Sequence, residues 1–373
     1  MNVWPPDAPI RSIIGQTVRE IVRVTAAGQQ VILRFTNEFG SHPIQLDAVN
    51  VARALAAGWI DTQTAQKATF GGKAFGTISP GAALFSDPID LHVDALSHLA
   101  VSYFTEQYFA LATHHYEAQQ TCYISEPGNF ADAEVMPVQQ TTTSHYLLSS
   151  VYVQAPKTTG AVVCFGDSIT DGLCSTIDAD NRWPDIFAER LRGAGIKLAV
   201  LNQGIGGNRL LHDCRGVKAL ERFNRDALTQ HGATHLVLLE GINDILWPNT
   251  ILASGREFVT ADEIVAALGQ LVLRAKMAGL KVMIGTLLPF ENALPDLPGI
   301  GFYTPAKEAI RQAVNDFIRN LSGADAVMDF DVLMRDPAQP TRLLPEYDSG
   351  DHIHPNDAGY RAMANAIDLE FFA

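Results

Sequence analysis

A serine follows a short apolar run near the middle of the chain, and we take it as a candidate nucleophile. Residues 161–165 read Ala-Val-Val-Cys-Phe, and Gly166, Asp167 and Ser168 come next. The run is too short for a helix and predicts a buried parallel strand. Ligands bind at the carboxyl ends of such strands, which is where Ser168 would lie. A serine standing alone there would more often cap a helix, and Asp167 could cap equally well.

Three further polar blocks occupy comparable positions in the second half of the chain. They are residues 202–209 (NQGIGGNR), 241–244 (GIND) and 351–356 (DHIHPN). Each follows a predicted strand or precedes the last predicted helix, so we expect all of them at one edge of a parallel sheet. A serine hydroxyl becomes a good nucleophile only when a base removes its proton, and an imidazole oriented by a carboxylate is such a base. The last block contains both groups.

Together the four blocks resemble those of the SGNH/GDSL hydrolase family: a G-D-S start, a glycine block, G-x-N-D and D-x-x-H, in this order. The resemblance covers roughly residues 161–373. The run from Val163 through Trp183 to Asp185, together with residues 202–211, looks like the bacterial and fungal branch that carries an N-terminal β domain. The resemblance implies a three-layer α/β/α (flavodoxin-like) parallel sheet and hydrolysis of carboxylic esters through an acyl-serine intermediate.

The resemblance also assigns roles to individual residues. Ser168 matches the nucleophile, and His354 matches the histidine of D-x-x-H, which acts as the base. Asp351 precedes His354 in the same loop, so its carboxylate can reach back and hold the imidazole in the required tautomer. The neighbouring His352 is expected to be exposed or structural.

Acyl transfer also needs hydrogen-bond donors where the carbonyl oxygen becomes negative, an arrangement called the oxyanion hole. The family takes these donors from the serine N–H, a glycine N–H of the second block and the asparagine side chain of the third. In this sequence they correspond to Ser168, Gly207 and Asn243, with Gly206 as the alternative to Gly207. A glycine there lets the acyl group approach the backbone closely.

Three aspartates near these blocks admit a different interpretation. Asp167, Asp171 and Asp244 could suggest a magnesium-dependent phosphatase. We favour a role as hydrogen-bond anchors that shape the two loops. A weak metal site through Asp351, His352 and His354 is a further alternative, but neither histidine spacing nor a cysteine cluster completes a zinc set. We therefore expect no metal and, because no nucleotide-binding motif follows a strand, no cofactor.

The first part of the chain, up to about residue 156, consists of short apolar runs separated by Gly, Pro, Asp and Ser. We predict strands over residues 18–25, 31–35, 44–51, 83–85, 89–93, 99–104, 121–124 and 146–153. This spacing is typical of a β-sandwich or jelly roll. We therefore expect an N-terminal β-sandwich-like domain over residues 1–156, joined to the catalytic domain by a linker around residues 155–160.

Beyond the linker, predicted strands and helices alternate. The strands cover residues 161–165, 197–202, 235–239, 281–286 and 326–330, and the helices cover 182–194, 220–228, 261–278, 304–320 and 356–371. This alternation predicts a parallel sheet with helices on both faces, over a catalytic domain of residues 157–373. Gly279 is expected to end one helix, and Asn356 to cap the last. We expect residues 243–248 and 288–301 to form the loops that shape a pocket.

Composition limits the classes of partner. The chain has 373 residues, a formal net charge of −14 and 47% hydrophobic residues. Such an acidic surface repels nucleic acid and anionic lipid, and no apolar run approaches the ~20 residues of a membrane span. The first seven residues do not form an intact signal peptide, so the sequence is compatible with the cytoplasm or with secretion after removal of a leader. We expect the four cysteines to be reduced, with a Cys174–Cys214 bridge as the alternative.

The substrate class is the least determined property at this level. We expect a small-molecule ester with a short acyl chain, because no broad apolar lid is evident in the sequence. An acylated carbohydrate is the alternative substrate, with O-deacetylation or acyl transfer as the reaction. A different class of protein, a carbohydrate-binding module with a vestigial hydrolase domain, would leave the four blocks unexplained.

Overall fold

A computed structural model describes residues 12–157, 159–250, 252–253, 257–297, 301–320 and 323–373. The described chain divides into two compact units, one ending at Lys157 and the other running from there to Ala373. Residues 1–11, which carry the expectation about a leader, lie outside the described residues. Among the helices that are described, none is long and apolar enough to cross a membrane.

The N-terminal unit is built mostly of antiparallel strands. Their bounds are β1 Ser12–Ile13, β2 Gln16–Val24, β3 Gly28–Thr36, β4 Ile44–Leu46, β5 Ala48–Arg53, β6 Gln66–Lys67, β7 Gly76–Ile78, β8 Ala83–Phe85, β9 Ile89–Val93, β10 Ser97–Thr105, β11 Phe109–Ala110, β12 Cys122–Pro127, β13 Val138–Thr142 and β14 Leu148–Val153. A six-stranded sheet has the order β13-β12-β2-β10-β5-β6. In a four-stranded sheet, β3 pairs with β14, β8 and β9.

The two larger sheets of this unit share one apolar core. Alternate residues of a strand point to opposite faces, so Val31, Leu33 and Phe35 of β3 are buried together. They belong to the same cluster as Val101 and Tyr103 of β10, a strand of the other sheet. The predicted antiparallel β fold of this region is therefore confirmed.

Some strands differ from the prediction. Residues 44–51 form two strands, because β4 pairs with β7 whereas β5 pairs with β10. Strands β1, β6, β7, β11 and β13 were not predicted. The sequence of β13, Val-Gln-Gln-Thr-Thr, is almost entirely exposed, so it lacks the apolar alternation on which strand prediction depends.

The C-terminal unit contains a parallel five-stranded sheet flanked by helices. Its strands are β15 Gly160–Gly166, β16 Leu198–Gly204, β17 Ala233–Leu239, β18 Lys281–Gly285 and β19 Ala326–Met328, and a hairpin adds β20 Arg335–Asp336 and β21 Gln339–Leu343. The helices are α1 Ser168–Asp171, α2 Trp183–Gly193, α3 Ala219–Phe223, α4 Ile242–Leu246, α5 Ala261–Met277, α6 Pro305–Arg319, α7 Phe330–Met334 and α8 Asp357–Ala366. The sheet order β16-β15-β17-β18-β19 is the flavodoxin-like order.

In this order, β16 lies on one side of β15 and the later strands lie on the other side. The position between β15 and β17, where the order reverses, is a topological switch point. Strand β15 lies between β16 and β17, and every residue from Ala161 to Gly166 is buried. A strand covered on both faces needs a continuous apolar run, which explains why the sequence signal for β15 is strong. The loops after β15 and β17 leave the same edge of the sheet in an open α/β fold and so define its ligand-binding crevice.

Helix boundaries agree with several local predictions and correct others. Gly279 has a φ of +83° after the end of α5, and Asn356 Oδ1 accepts the Gly359 N–H at the start of α8, as expected. The last helix, however, ends at Ala366, and Asp368 caps a separate 3₁₀ turn, Leu369–Phe372. Phe330 was predicted at the end of a strand but begins α7. A π-helical turn, Asn224–Leu228, follows α3 within the predicted helix over residues 220–228.

Candidate active site

Ser168 is the first residue of α1, immediately beyond β15. Its predecessor Asp167 caps this helix, because Asp167 Oδ1 accepts the Ile169 N–H at 2.9 Å. The turn starts at Gly166, where an added Cβ would lie 2.2 Å from the Leu239 carbonyl oxygen, so a side chain there would collide with β17. Asp167 thus takes the capping role that the sequence left open, and the Ser168 hydroxyl remains available for another partner.

That partner is the imidazole of His354. Ser168 Oγ lies 2.8 Å from His354 Nε2, and His354 Nδ1 lies 2.5 Å from Asp351 Oδ2. The other carboxylate oxygen of Asp351 accepts the backbone N–H groups of Ile353 and His354 at 3.0 and 2.8 Å. The loop therefore fixes Asp351 through its own backbone, and the carboxylate in turn orients the ring toward the serine.

The Asp351–His354 pair changes the acidity of both groups. Burial by itself would raise the pKa of Asp351 and lower that of His354. The hydrogen bond and the opposite charge outweigh burial, so the pKa of Asp351 lies well below its ordinary value and that of His354 lies above it. An ionised Asp351 favours the tautomer with its proton on Nδ1, which leaves the Nε2 lone pair facing Ser168.

The glycine block lies beside this serine. Gly206 N–H donates to Asp171 Oδ2 at 3.0 Å, so that amide already has an acceptor. The next amide belongs to Gly207, whose φ of +70° favours glycine. A Cβ on Gly207 would lie 2.8 Å from both Trp247 Cζ2 and Arg215 Cγ. These contacts favour Gly207 over Gly206 as an oxyanion donor.

Asn243 lies in α4, within residues that we expected to form a loop. Its Nδ2 donates one hydrogen bond to the Asn208 carbonyl oxygen at 2.9 Å. An asparagine amide carries two donor hydrogens, and a partner for one of them is seen among the described residues, which is compatible with the predicted oxyanion role of the other. Residues 243–248 therefore begin as a short helix rather than an irregular loop. Part of the other predicted pocket loop, residues 298–300, lies outside the described residues.

The aspartates considered as possible magnesium ligands bind backbone amides instead. Asp244 accepts the N–H groups of Leu210 and Leu211 at 2.6 and 2.9 Å, and Asp171 accepts that of Gly206. Asp167 caps α1. These contacts agree with the predicted role as anchors that shape the loops.

Arg222 is the main residue of this region that sequence analysis missed. Its guanidinium donates to the carbonyl oxygens of Gly166 and Gln203 at 2.8 and 2.9 Å, and to Asn208 Oδ1 at 2.9 Å. Its plane lies over the Phe165 ring, 3.9 Å from the centroid. We call these contacts the Arg222 clamp. The clamp joins the ends of β15 and β16 to the residue that holds Asn243.

A buried carboxyl group accompanies the clamp. Glu240 Oε2 lies 3.7 Å from Arg222 Nη2, at the end of β17. Burial and the neighbouring Asp167 raise the pKa of Glu240 well above its ordinary value, although Arg222 opposes that shift. The sequence signal for its burial is the place of Arg222 next to Phe223 within the helix predicted over residues 220–228; this signal does not identify the partners of Arg222.

Three further residues considered in the sequence are the second histidine of the loop, His352, and the cysteines Cys174 and Cys214. His352 Nδ1 lies 2.5 Å from Asp348 Oδ2, which agrees with the structural role expected for it. Cys174 and Cys214 are both free thiols, so the alternative of a bridge between them is not adopted. Cys174 Sγ lies 3.6 Å from Asp351 Oδ2.

Comparison with known proteins assigns the family. Residues 164–362, more than half of the chain, match the model of the GDSL-like lipase/acylhydrolase family, and the chain belongs to that family. A search of curated proteins gave no match.

Solved structures that match this chain include a GDSL-like lipase from Bacteroides thetaiotaomicron (21% identity, 59% of this chain and 91% of that chain, TM-score 0.44). A lipase/acylhydrolase from Enterococcus faecalis is 19% identical over 57% of this chain and 95% of its own, with a TM-score of 0.41. An aryl esterase from M. smegmatis is 17% identical over 56% and 95%, with a TM-score of 0.43.

We predict that replacing Arg222 by lysine destabilises the C-terminal unit by at least about 2 kcal/mol, because lysine cannot form the planar fork and leaves buried carbonyl groups unpaired. Urea denaturation measures the loss. The control is Arg361→Lys, because Arg361 is exposed and its guanidinium donates to Asn181 Oδ1 at 3.3 Å; the loss of stability is expected to stay below about 1 kcal/mol. Equal losses in the two variants would contradict a special role for the clamp.

Proposed function

We propose that this protein hydrolyses carboxylic esters through an acyl intermediate on Ser168, using a catalytic domain of residues 157–373. The observation that supports this most strongly is the chain of contacts from Ser168 Oγ to His354 Nε2 (2.8 Å) and from His354 Nδ1 to Asp351 (2.5 Å). Nucleophile, base and orienting carboxylate occupy the order that acyl transfer requires. The same contacts argue against a vestigial domain.

In the first half of the proposed reaction, Ser168 Oγ attacks the ester carbonyl carbon while His354 Nε2 takes the hydroxyl proton. The imidazolium that forms is stabilised by the ionised Asp351. Negative charge develops on the carbonyl oxygen and is bound by the N–H groups of Ser168 and Gly207 and by the Asn243 amide. Each such donor typically lowers the barrier by about 2.7–4 kcal/mol.

Collapse of the tetrahedral intermediate then breaks the bond to the leaving alcohol. His354 returns the proton to the alcohol oxygen, and the acyl group stays on Ser168. A water molecule enters, His354 removes its proton, and attack on the acyl carbon releases the acid and restores the serine. Side chains of this chain supply every proton transfer in the scheme, so it includes no cofactor.

The glycine block supports a preference for short acyl chains. A side chain on Gly207 would collide with the Trp247 ring and the Arg215 side chain, so these two side chains limit the space next to this glycine. A small acyl group needs little room beside the oxyanion donors. The proposed substrates are therefore small esters, including acetylated ones, with acylated carbohydrates as the alternative alcohol component.

Removal of the nucleophile or the base is expected to abolish activity. Ser168→Ala and His354→Ala should each lower kcat on p-nitrophenyl acetate by a factor of about 10⁴ to 10⁶. Matched controls come from the same loops: Ser175→Ala removes a buried hydroxyl that has no partner among the described residues, and His352→Ala removes the second histidine. Both controls should retain kcat within about threefold, since changes outside the reacting set have small effects. Near-wild-type rates in Ser168→Ala would refute the proposal.

The acyl preference can be measured on the wild-type protein with p-nitrophenyl esters of increasing chain length. We expect kcat/KM to be highest for acetate or butyrate and to fall for longer chains, because the space near Gly207 is limited. Ser168→Ala, measured in parallel, corrects for background hydrolysis of activated esters. A maximum at long chains would show that the short-chain assignment is wrong.

The pH dependence follows from the Asp351–His354 pair. Activity requires neutral His354, whose pKa is raised by Asp351, so kcat/KM should rise with pH through a pKa above the ordinary value of about 6.5 for histidine. Asp351→Asn removes the charge that favours the imidazolium and should move this acid limb to lower pH. The plateau should also fall by about 10⁴-fold, because the amide no longer enforces the correct tautomer. If the acid limb of the pH profile does not move, or if the plateau of kcat/KM falls by only a few fold, Asp351 is not the orienting group.

A further inference from the structure

Cys174 lies next to the Asp351–His354 pair and has no part in the proposed reaction. It follows α1 in the chain, is exposed, and has a φ of +69°. Its Sγ lies 3.6 Å from Asp351 Oδ2. One potential ligand atom from each of Cys174, Asp351 and His354 lies within 4.8 Å of the others.

We propose that these three side chains form an inhibitory site for a divalent cation of the zinc class. We call it the Cys174 site. Thiolate sulfur, imidazole nitrogen and carboxylate oxygen are the ligands that Zn²⁺ prefers, and three protein ligands with one open position is a common arrangement. The inhibitory effect depends on the proposed esterase reaction, whereas binding of the cation does not.

The distances suit such a centre after a small adjustment. With ordinary bond lengths, a tetrahedral zinc ion separates its sulfur and oxygen ligands by about 3.6 Å and its nitrogen and oxygen ligands by about 3.3 Å. The sulfur–oxygen distance between Cys174 and Asp351 is already 3.6 Å. The distance from His354 Nδ1 to Asp351 Oδ2 is 2.5 Å and would have to open by slightly less than 1 Å, which a modest movement of the ring provides.

Solvent access to Cys174, the orientation of the His354 ring and the location of the other exposed cysteine also favour this site. Cys174 is exposed, so a hydrated cation can reach its sulfur from solvent. The Nε2 side of the ring faces Ser168, which leaves Nδ1 as the nitrogen on the Asp351 side. Cys214 is also exposed, but its Sγ lies 3.9 Å from the Leu252 carbonyl oxygen and is not part of the group of potential ligand atoms formed by Cys174, Asp351 and His354.

Binding of the cation would inactivate His354 as a base, because it changes which ring nitrogen carries the proton. The thiol of Cys174 gives its proton to water, and a cation on His354 Nδ1 requires that nitrogen to be unprotonated. The single proton of the neutral ring then resides on Nε2, where it points toward Ser168 Oγ instead of leaving a lone pair there. Asp351 is occupied by the cation at the same time. No electron is transferred, and removal of the cation restores the original tautomer.

A binding experiment tests the site without any activity. Co²⁺, which reports thiolate ligation by a sulfur-to-cobalt charge-transfer band, is titrated into the full-length Ser168→Ala variant and into the same variant carrying Cys174→Ala or Cys214→Ala. We expect the band in Ser168→Ala and with Cys214→Ala, and its loss with Cys174→Ala. A band that survives Cys174→Ala, or that disappears only with Cys214→Ala, would overturn the proposal.

The histidine ligand is tested in the same way. Adding His354→Ala to Ser168→Ala should weaken Co²⁺ binding by about tenfold or more, whereas adding His352→Ala should leave it unchanged, since His352 pairs with Asp348. Equal affinities in the two double variants would overturn the assignment of His354 as a ligand.

Inhibition is measured with Zn²⁺ on p-nitrophenyl acetate, each protein being normalised to its own rate in a chelator. The concentration for half-inhibition should rise by about tenfold or more in Cys174→Ala and stay unchanged in Cys214→Ala. A chelator should restore the wild-type rate. Equal sensitivity of Cys174→Ala and wild type would overturn the inhibitory role. Absence of esterase activity in every protein would instead refute the proposed function, while the cobalt titration would still decide on the site.

Discussion

The guanidinium of Arg222 donates to carbonyl oxygens at the ends of two adjacent strands and to the side chain of Asn208, all within the buried base of the site. Asn208 in turn accepts a hydrogen bond from Asn243. The serine turn, the glycine block and the asparagine helix are therefore positioned relative to one another by a single cation. A desolvated charge is costly unless it is fully hydrogen-bonded, and these acceptors, with the Phe165 ring, supply what Arg222 needs.

The other half of the site, which contains Asp351 and His354, is held in place by local contacts. The loop that carries Asp351 and His354 is held by its own backbone amides, which donate to the Asp351 carboxylate. Asn356 then starts α8 directly after the loop. The proposed base is thus oriented by local contacts, whereas the proposed oxyanion donors depend on contacts between elements that are far apart in sequence. Contacts between residues that are close in sequence, such as those within the Asp351–His354 loop, are the ones that a short motif can encode.

This difference explains what could be predicted from the sequence. Strand β15 was predicted because burial on both faces demands a continuous apolar run, and the Asn356 cap because its signal is local. Gly207 was preferred over Gly206 from the family resemblance, but the hydrogen bond from the Gly206 N–H to Asp171, which supports that choice, cannot be read from the spacing. Arg222 could not be assigned because two of its partners are backbone carbonyls, which every residue has. The polar strand β13 lacks a periodic pattern altogether.

Ser168 and His354, the proposed nucleophile and base, are separated by 186 positions along the chain. Because a protein is synthesised from its N-terminus, Ser168 emerges long before His354 does. Strand β15 also pairs with β17, so the turn that presents the serine is incomplete until residue 239 has been added. A nascent or prematurely terminated chain would therefore expose a serine hydroxyl without an acceptor for its proton. Under the proposed assignment, Ser168 gains its base only after residue 354 has been added.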